Sequence, residues 1–354
     1  MPTISVVIPT YRRPDWLAAA LATLADQSFG DQSSGSKSGG KSGDVSYDIW
    51  VVDNNSGDQT EAVVAAAADA SPVPIHYLCQ PVPGDAPTRN AGIDASAGEF
   101  VAFFDDDQFA PRDWLARLHA AATETAADVV GGPVRLDLTD DESARLGRIC
   151  REMLREIDFG PDRIPYRGKQ LPGTGNALVR RDVLMRLGRF DESFTSGGSD
   201  SDLFLRARES GASLVYDPHA AIVHRVPEDR TTPAYFRWNS LASGAEHCAK
   251  FDLQNHGRLG LLARAIARTG QAVAVHLPRL AAARLTGDAG QTLGRRALLW
   301  RCEGYLRRTA RELAGWRQQA FFDSLDMRAG RTVAGQPPSS PDDADQPQEL
   351  AVAG

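Results

Sequence analysis

Three consecutive carboxylates follow a run of apolar residues in FFDDDQFAP, residues 103–111. Adjacent carboxylates repel one another, and a bound cation removes that repulsion. We predict an extended chain here, with Asp105 and Asp107 on one side and Asp106 on the other. Carboxylate oxygens are ligands that Mg²⁺ and Mn²⁺ prefer. The stretch therefore predicts a site for Mg²⁺ or Mn²⁺, with a solvated acidic turn as the alternative.

Another carboxylate, Asp53, ends an apolar run in VVDNNSGDQT, residues 51–60. Its oxygens could accept hydrogen bonds from the base or ribose of a nucleotide. Asp, Asn and Ser also form local turns through their side chains, so an Asx turn or a helix cap explains the same residues. The sequence leaves both interpretations open.

Arginines suited to binding phosphate occur in PTYRRPDW (9–16) and PTRNAGIDASAG (87–98). Arg89 opens a predicted helix, and a guanidinium group binds phosphate oxygens in pairs. The end of the first predicted strand offers further ligand-facing residues: Pro9, Thr10, Tyr11 and Arg13. The sequence has neither GxGxxG nor GxxxxGK[ST]. Their absence disfavours a dinucleotide-binding fold and a P-loop kinase.

A general base is predicted at the start of a helix in TSGGSDSDLF, residues 195–204. Two glycines precede Asp200 and Asp202, and such a loop can deliver a carboxylate to a reacting hydroxyl. Helix capping explains acids in a first helical turn as well. His224 follows the apolar run AAIV at another predicted strand end, where it could be a third metal ligand or an ordinary structural histidine.

The elements that must position these residues are short apolar strands. Strands are predicted at 5–11, 48–53, 74–80 and 99–105, with helical patterns between them. Strands that alternate with helices predict an α/β fold with a mostly parallel sheet flanked by helices. Because such sheets bind ligands at the carboxyl ends of their strands, the candidate residues are predicted to meet there.

Composition and charge exclude several classes of protein. The 354 residues carry a formal net charge of -7, which disfavours a general nucleic-acid binder. The first ten residues predict a β-strand rather than a secretory signal, and no run of about 18 apolar residues predicts a spanning helix. The four cysteines are widely separated and suit a reducing compartment. These features predict a cytoplasmic protein.

Six sequence blocks occur in an order that resembles glycosyltransferase family 2, whose members have the GT-A fold. The blocks are IPTYRRP, VVDNNSGD, PTRNAGIDASAGEFVAFFDDD, GNALVRR, FDESF and GGSDSDLFLR. The resemblance covers roughly residues 3–225. The stretch VPEDRTTPAYFRWNSLASG is similar to the bacterial exopolysaccharide transferases of the succinoglycan type.

This resemblance implies a Rossmann-like sheet and a hexosyltransferase that takes a sugar from a nucleotide-diphosphate donor. The donor is usually UDP-linked, the anomeric carbon is inverted, and the acceptor is a glycan or a lipid-linked glycan. The resemblance implies metal binding by Asp105, Asp107 and His224 and a base at Asp200, with Asp202 as the alternative. It implies nucleotide-sugar binding by Pro9, Thr10, Tyr11, Arg13, Asp53, Arg89 and Asp106. A nucleotidyl- or phosphotransferase on a similar fold and a catalytically inactive binding protein are the alternative functions.

The chain is predicted to divide into a catalytic domain (1–250), a basic helical region (251–330) and a disordered tail (331–354). A low-complexity insertion is predicted at 31–44. Residues 256–330 hold 13 arginines and five acidic residues. Their apolar residues form two helical faces, Leu259 to Ile266 and Leu298 to Trp316. We predict that this region rests on an anionic membrane surface; packing on the catalytic domain or a second subunit is the alternative.

Overall fold

A computed structural model describes residues 2–29, 45–194 and 198–314 of the chain. The predicted insertion at 31–44 and the predicted tail at 331–354 lie outside these ranges. The chain forms two compact units, one of Met1–Asp137 with Glu156–Arg225 and one of Leu138–Arg155 with Val226–Gly354. The predicted catalytic limit at residue 250 stays a prediction, because compactness and catalytic competence are different properties.

The first unit alternates strands and helices through its N-terminal half, as predicted. Its strands are β1 (Ile4–Thr10), β2 (Tyr47–Asp53), β3 (Ile75–Cys79), β4 (Phe100–Phe104), β5 (Gln108–Phe109), β6 (Val129–Gly131), β7 (Val134–Asp137), β8 (Ile164–Pro165), β9 (Asn176–Arg180), β10 (Leu214–Tyr216) and β11 (Ile222–Arg225). Its helices are α1 (Pro14–Ala25), α2 (Thr60–Ala70), α3 (Asp85–Ala95), α4 (Trp114–Thr125), α6 (Arg181–Leu187) and α7 (Ser199–Glu209). The four strands predicted before residue 105 are present within one residue of their predicted limits.

Eight strands form the main sheet in the order β3-β2-β1-β4-β9-β6-β10-β8. Pairing is parallel from β3 to β4, whereas β9 runs antiparallel to both of its neighbours. The pair β10–β8 is also antiparallel. A small second sheet has the order β5-β11-β7. The predicted α/β fold with a mostly parallel, helix-flanked sheet is thus confirmed.

The core of the first unit lies on both faces of the main sheet. In β1, Val6 and Ile8 face one apolar cluster and Val7 faces the other, and all three are fully buried. Burial on both faces explains why these strands read as continuous apolar runs. On the Val7 face, a Cβ at Gly92 would overlap Val7, so α3 packs close to β1. That contact fixes the helix that carries Arg89.

One buried amide connects the two sheets below the polar strand ends. The side chain of Asn176 donates to the carbonyl oxygens of Pro133 (2.9 Å) and Ala220 (2.8 Å). It accepts a hydrogen bond from the Trp114 indole at 2.8 Å, and it is fully buried. Asn176 lies in β9, whereas Pro133 and Ala220 precede β7 and β11. The amide therefore fixes the second sheet, and with it His224, against the main sheet.

The second unit is helical in its described residues. Its helices are α5 (Asp140–Met153), α8 (Pro233–Ala242), α9 (Lys250–Gln271), α10 (Leu277–Leu285) and α11 (Ala289–Ala314), with π-helical turns at Ser243–Ala249 and Ala272–His276. Helix α11 packs on α5, α8, α9 and α10. A Cβ at Gly304 would overlap the carbonyl oxygen of Leu241, so α11 and α8 touch through their backbones. Pro278 lies in the first turn of α10, and Gly287 lies in the gap between α10 and α11.

We expect Asn176→Ala to destabilise the first unit. The substitution leaves the Trp114 indole N–H and the Ala220 carbonyl without their buried partner, whereas the Pro133 carbonyl keeps the backbone N–H of Ile222 at 3.0 Å. Each unpaired buried group typically costs about 1–3 kcal/mol, so urea unfolding should show a loss of at least about 2 kcal/mol. Asn255→Ala, which removes one exposed hydrogen bond to Phe251 in α9, is the matched control and should cost less than about 0.5 kcal/mol. Equal losses for both variants would contradict this role of Asn176.

Candidate active site

The polar residues predicted to meet at the carboxyl ends of the strands do so in the first unit. Thr10 and Asp53 are register partners at the ends of β1 and β2. The carboxylate triplet follows β4, which pairs with β1 on its other side. Helix α3 begins after β3 and carries Arg89 to the same edge. The observed order of strands therefore explains why residues distant in sequence form one site.

Asp106 is the most enclosed of the three carboxylates. It is 6% exposed, accepts a hydrogen bond from the Thr10 hydroxyl at 2.8 Å and lies 3.2 Å from Arg13 Nη1. Burial raises the pKa of Asp106 to about 6, although Arg13 and Thr10 oppose that rise. For Arg13, burial lowers the pKa, but attraction to Asp106 and Asp107 raises it by more. Arg13 and Asp106 therefore form a charged pair.

Asp105 is held on the opposite side by α3. The Arg89 guanidinium donates to Asp105 Oδ1 at 3.0 Å, and the Arg89 side chain is 9% exposed. Gln108 accepts from the backbone N–H of Asp105 at 3.1 Å. Burial and repulsion by Asp107 raise the pKa of Asp105 against the attraction of Arg89, although 33% of the Asp105 side chain remains accessible. A Cβ at Gly175 would overlap Gln108, so Gly175 leaves space for this pair.

Asp107 lies between Arg13 and the second sheet. Its Oδ2 is 3.0 Å from Arg13 Nη1 and 3.5 Å from His224 Nε2. The backbone N–H of Arg225 donates to the Asp107 carbonyl at 2.8 Å, which fixes β11 beside the triplet. The prediction that Asp106 points away from both other carboxylates is wrong in part. Residues 106–107 form a turn rather than an extended strand, so Asp106 and Asp107 share Arg13 while Asp105 contacts Arg89.

The donor set at this edge fits a divalent cation that is shared with a ligand. Within the described ranges, no three His, Cys, Asp or Glu side chains form a ready-made metal cluster. The pair Asp107 Oδ2 and His224 Nε2 is 3.5 Å apart, near the separation of about 3 Å between adjacent ligands of an octahedral ion. The His224 Nδ1 atom is buried without a hydrogen-bond partner in the described structure. Mg²⁺-type ions commonly take only one or two protein ligands and complete their shell with phosphate oxygens and water.

The Asp53 carboxylate forms the local turn that the sequence offered as one interpretation. Asp53 Oδ1 accepts hydrogen bonds from the backbone N–H of Ser56 (3.0 Å) and from its hydroxyl. Asp53 Oδ2 accepts from the Tyr77 hydroxyl at 2.9 Å. Burial and Asp53 raise the pKa of Tyr77, which keeps that hydroxyl protonated. Sequence reasoning missed Tyr77, although its position two residues before the end of β3 is a signal for a residue at this edge.

The loop after β1 is joined to the loop after β2. Arg12 has a left-handed backbone (φ 53°), and its N–H donates to the Ser56 hydroxyl at 2.8 Å. The turn at Arg12 directs Arg13, the residue before α1, toward the triplet. Tyr11 is 37% exposed and lies under the Arg12 guanidinium at 5.1 Å from the ring centre. Pro9 pairs in register with Val52 inside the sheet, so it supports the loop from below.

The two candidate bases differ in what they contact. Asp202 forms an ion pair with Arg206 at 2.7 Å, and Arg206 also donates to the carbonyl oxygens of Leu187 and Arg189. Asp200 accepts a local hydrogen bond from the Ser201 N–H at 2.8 Å. Burial lowers the pKa of Arg89, but nearby carboxylates, with Asp105 first and Asp200 among them, raise it by more. Asp200 therefore acts electrostatically on Arg89, the arginine that contacts Asp105, whereas Asp202 forms an ion pair within its own helix. Gly197, part of the predicted loop, lies outside the described residues.

Comparison with known proteins agrees with this geometry. The model of glycosyl transferase family 2 matches residues 5–188, more than half of the chain. The chain belongs to glycosyl transferase family 2, and it is a glycosyltransferase with the GT-A fold. The resemblance of the six sequence blocks is thereby confirmed.

Relatives extend the comparison beyond the family model. The succinoglycan biosynthesis protein ExoM of Rhizobium meliloti is 33% identical over 261 residues, which cover 72% of this chain and 74% of that protein. GalNAc(5)-diNAcBac-PP-undecaprenol beta-1,3-glucosyltransferase of Campylobacter jejuni is 32% identical over 132 residues, 37% of this chain and 38% of that protein. The mannosyltransferase PcManGT of Pyrobaculum calidifontis, solved with GDP-Man and Mn²⁺, has a TM-score of 0.54 at 20% identity and covers 89% of this chain and 88% of that one. This structural likeness supports the fold alone.

We expect Arg89→Gln to destabilise the first unit by about 1–3 kcal/mol, because it leaves the Asp105 carboxylate without its buried partner. Urea unfolding of the variant is the measurement. Arg112→Gln removes a surface ion pair with Asp26 whose arginine side chain is 74% exposed, and it should cost less than about 1 kcal/mol.

A double variant separates charge from packing at the same pair. Arg89→Gln with Asp105→Asn removes both charges, so it should recover part of the stability that the single variant loses. Equal losses in Arg89→Gln and Arg112→Gln, or a further loss in the double variant, would argue against a compensated pair.

Proposed function

We propose that this enzyme transfers a hexose with inversion from a nucleotide-diphosphate donor, a UDP-sugar, to a glycan or lipid-linked acceptor, with Mg²⁺ or Mn²⁺. The observation that carries the proposal is the set of charges at one sheet edge. Arg13 contacts Asp106 and Asp107, and His224 lies beside Asp107. Arg89 contacts Asp105, the residue that precedes Asp106. Such a set suits a charged donor with a metal-bound diphosphate.

The donor site is assigned to the loops after β1 and β2. Thr10, Tyr11 and the Asp53 turn form the edge that would receive the nucleotide, with Pro9 beneath them. Because Asp53 already accepts hydrogen bonds from Ser56 and Tyr77, its proposed role is to maintain the shape of this edge. A hydrogen bond from a ribose hydroxyl to Asp53 would require the bound nucleotide to displace one of these two partners. Asp106, which is buried against Thr10 and Arg13, is assigned to holding Arg13 in place.

The diphosphate site is assigned to the triplet. Asp107 and His224 would hold the cation, together with Asp105. When bound, the cation offsets charge on the leaving diphosphate. Arg13 Nη1 lies 3.0 Å from Asp107 Oδ2, and the Arg13 side chain is 36% exposed, so Arg13 would donate to a phosphate oxygen of the donor.

The base is assigned to Asp200. Inversion in one displacement requires a group that accepts the proton of the attacking hydroxyl and no covalent nucleophile. Two residues along a helix are about 200° apart, so Asp200 and Asp202 do not face the same ligand. Asp202 is engaged in the ion pair with Arg206, whereas the charge of Asp200 contributes to the raised pKa of Arg89, and this supports Asp200 as the base.

The acceptor class is proposed from the relatives. One relative is named for succinoglycan biosynthesis, and another for glucosyl transfer to a glycan on undecaprenol diphosphate. Both names concern the synthesis of a glycan. A lipid-linked acceptor would bring this enzyme to a membrane surface.

Release of nucleotide provides the direct test of the function. Purified full-length protein would be screened with UDP-, GDP- and dTDP-sugars, with release of the corresponding nucleoside diphosphate and sugar incorporation measured together. UDP release with transfer to a glycan acceptor supports the proposal. Release of pyrophosphate instead would identify a nucleotidyltransferase, and absence of UDP binding with Mn²⁺ present would identify an inactive protein.

Asp200→Asn should lower kcat by about 10²–10⁴, the usual contribution of a positioned general base. Donor affinity should change little, because the base acts on the acceptor. Asp202→Asn is the matched control on the same helix and should have a smaller effect on kcat. A larger loss in Asp202→Asn would move the assignment to that residue, and unchanged kcat in both would remove the base from this helix.

Activity should require a divalent cation, and Asp107→Ala should abolish it while the protein stays folded. Excess EDTA should stop turnover, and added Mn²⁺ or Mg²⁺ should restore it. Asp113→Ala, which removes only a surface ion pair with Arg117, is the control and should keep full activity. Mn²⁺-dependent UDP binding, followed by calorimetry, should be weakened in Asp107→Ala only. Full turnover in EDTA would show that the triplet serves another purpose.

A further inference from the structure

Large apolar side chains are exposed along one helical face of the second unit. Leu259 is 83% exposed and Ile266 is 66% exposed. The set, which we name the α9–α10 stripe, comprises Leu259, Leu262, Ile266, Val273 and Leu277. Their spacing of three, four, seven and four residues places them on one side of the continuous run from α9 through the π-helical turn into α10. Phe251 and Leu285, near the two ends of this run, are also exposed.

The opposite side of α9 already forms the core of this unit. Leu261 and Ala265 are buried in a cluster with Tyr305 of α11. On α11, the middle of the apolar face predicted to lie on a membrane is internal, because Cys302, Tyr305 and Thr309 are buried, whereas Leu313 is 37% exposed. Trp316, the last residue of that predicted face, lies outside the described residues. Helix α11 contacts α5 and α8, which precede residue 250, and this agrees with the alternative of packing on the predicted catalytic domain. The α9–α10 stripe is thus not needed for packing among the described helices.

The charges beside the stripe are all of one sign. Residues 253–287 contain five arginines and no Asp or Glu. Arg264 and Arg268 lie 3.4 and 3.8 Å from Asp252 on the packed side. The other three arginines are exposed and have no carboxylate within ion-pair distance among the residues that the structure describes: Arg258, Arg279 and Arg284.

Positive charge also accumulates where α10 meets α11. Burial lowers the pKa of the Arg295 guanidinium, and repulsion by Arg279 lowers it further. The Arg295 Nε atom is buried without an acceptor in the described structure. An anion beside Arg279 would relieve this repulsion, so the surroundings of the stripe favour a negatively charged partner.

We propose that the α9–α10 stripe is a docking surface for an anionic lipid bilayer. An exposed apolar face with arginines and no acids beside it is typical of a helix that lies in the plane of a membrane interface. No helix in the described ranges is long and apolar enough to cross a membrane. Self-association through the stripe is disfavoured, because it would bring the unpaired arginines of two copies together.

Vesicle binding by the full-length protein tests this surface. Vesicles of phosphatidylcholine alone and of phosphatidylcholine with phosphatidylglycerol would be compared by cosedimentation at low and high NaCl. Leu259→Glu with Ile266→Glu removes two stripe side chains. Val82→Glu with Met185→Glu is the matched control, because it makes the same charge change at two residues of the first unit that are 54% and 53% exposed.

Binding should be stronger to the anionic vesicles and should weaken with salt, because exposed arginines are screened. The stripe variant should lower the partition coefficient at least about tenfold, since each lost apolar side chain contributes about one such factor. The control pair should bind like wild type. Arg258→Gln with Arg279→Gln should reduce binding and its salt dependence.

Other occupants of the stripe would give different results. Failure of the wild type to bind either vesicle overturns the proposal, as does equal binding by both Glu pairs. If the stripe variant instead converts a dimer to a monomer in sedimentation velocity, the occupant is a second copy. If neither vesicle binding nor oligomeric state changes, residues 315–354 or another part of the chain covers the stripe.

This inference rests on the proposed function only in its choice of a lipid-linked acceptor as the reason for membrane contact. Transfer to a soluble acceptor analogue, measured without vesicles, tests the enzyme alone. The stripe variant should keep that transfer at the wild-type rate. Vesicle binding without transfer would support the docking surface and contradict the proposed function. Transfer without vesicle binding would support the proposed function and contradict the docking surface.

Discussion

Repulsion among Asp105, Asp106 and Asp107 is the constraint on which the rest of the first unit depends. Three adjacent carboxylates at a sheet edge require opposite charge within a few ångströms, and the structure supplies it from two directions. Arg13 precedes α1 and contacts two of them, whereas Arg89 on α3 contacts the third. Two arginines for three carboxylates leave a negative remainder beside His224. The close packing of α3 on β1 and the turn at Arg12 are the structural means by which these arginines reach the triplet.

Much of the fold could be predicted from local sequence because β1 to β4 are continuous apolar runs and each is followed by a helical pattern. The same method could not give the position of β9. A five-residue apolar strand has the same side-chain pattern whether its neighbours are parallel or antiparallel, and its insertion between β4 and β6 is decided by contacts such as those of Asn176. Local sequence also could not predict that residues 138–155 group with the C-terminal helices, because this grouping depends on contacts between segments far apart in sequence.

For the candidate site, sequence reasoning could identify residue types but not their orientations. The triplet was expected to alternate along an extended chain, yet a turn brings Asp106 and Asp107 to the same guanidinium. Tyr77 and Gln108 escaped notice because neither residue is unusual in its own sequence context. Their importance comes from hydrogen bonds to Asp53 and Asp105, which only the folded chain brings within reach. A sequence motif identifies which charged groups are present, whereas the hydrogen-bond partners that orient those groups are determined by the tertiary structure.

The two amphipathic faces of the C-terminal region illustrate the same limit. Hydrophobic spacing alone treats the faces of α9 and α11 as equivalent. Both helices contain glycines, but their surroundings differ: a Cβ at Gly294 or Gly304 of α11 would crowd Ile149 or overlap the backbone of Leu241, whereas a Cβ at Gly270 of α9 would meet nothing within 4 Å. A helix face with small residues can approach its neighbours closely, so the α11 face is internal. The α9–α10 stripe has large side chains that project from the helix, and three exposed arginines of the same segment, Arg258, Arg279 and Arg284, lack acidic partners among the described residues. A face built in this way gains more from a deformable, negatively charged surface than from a second close-packed helix.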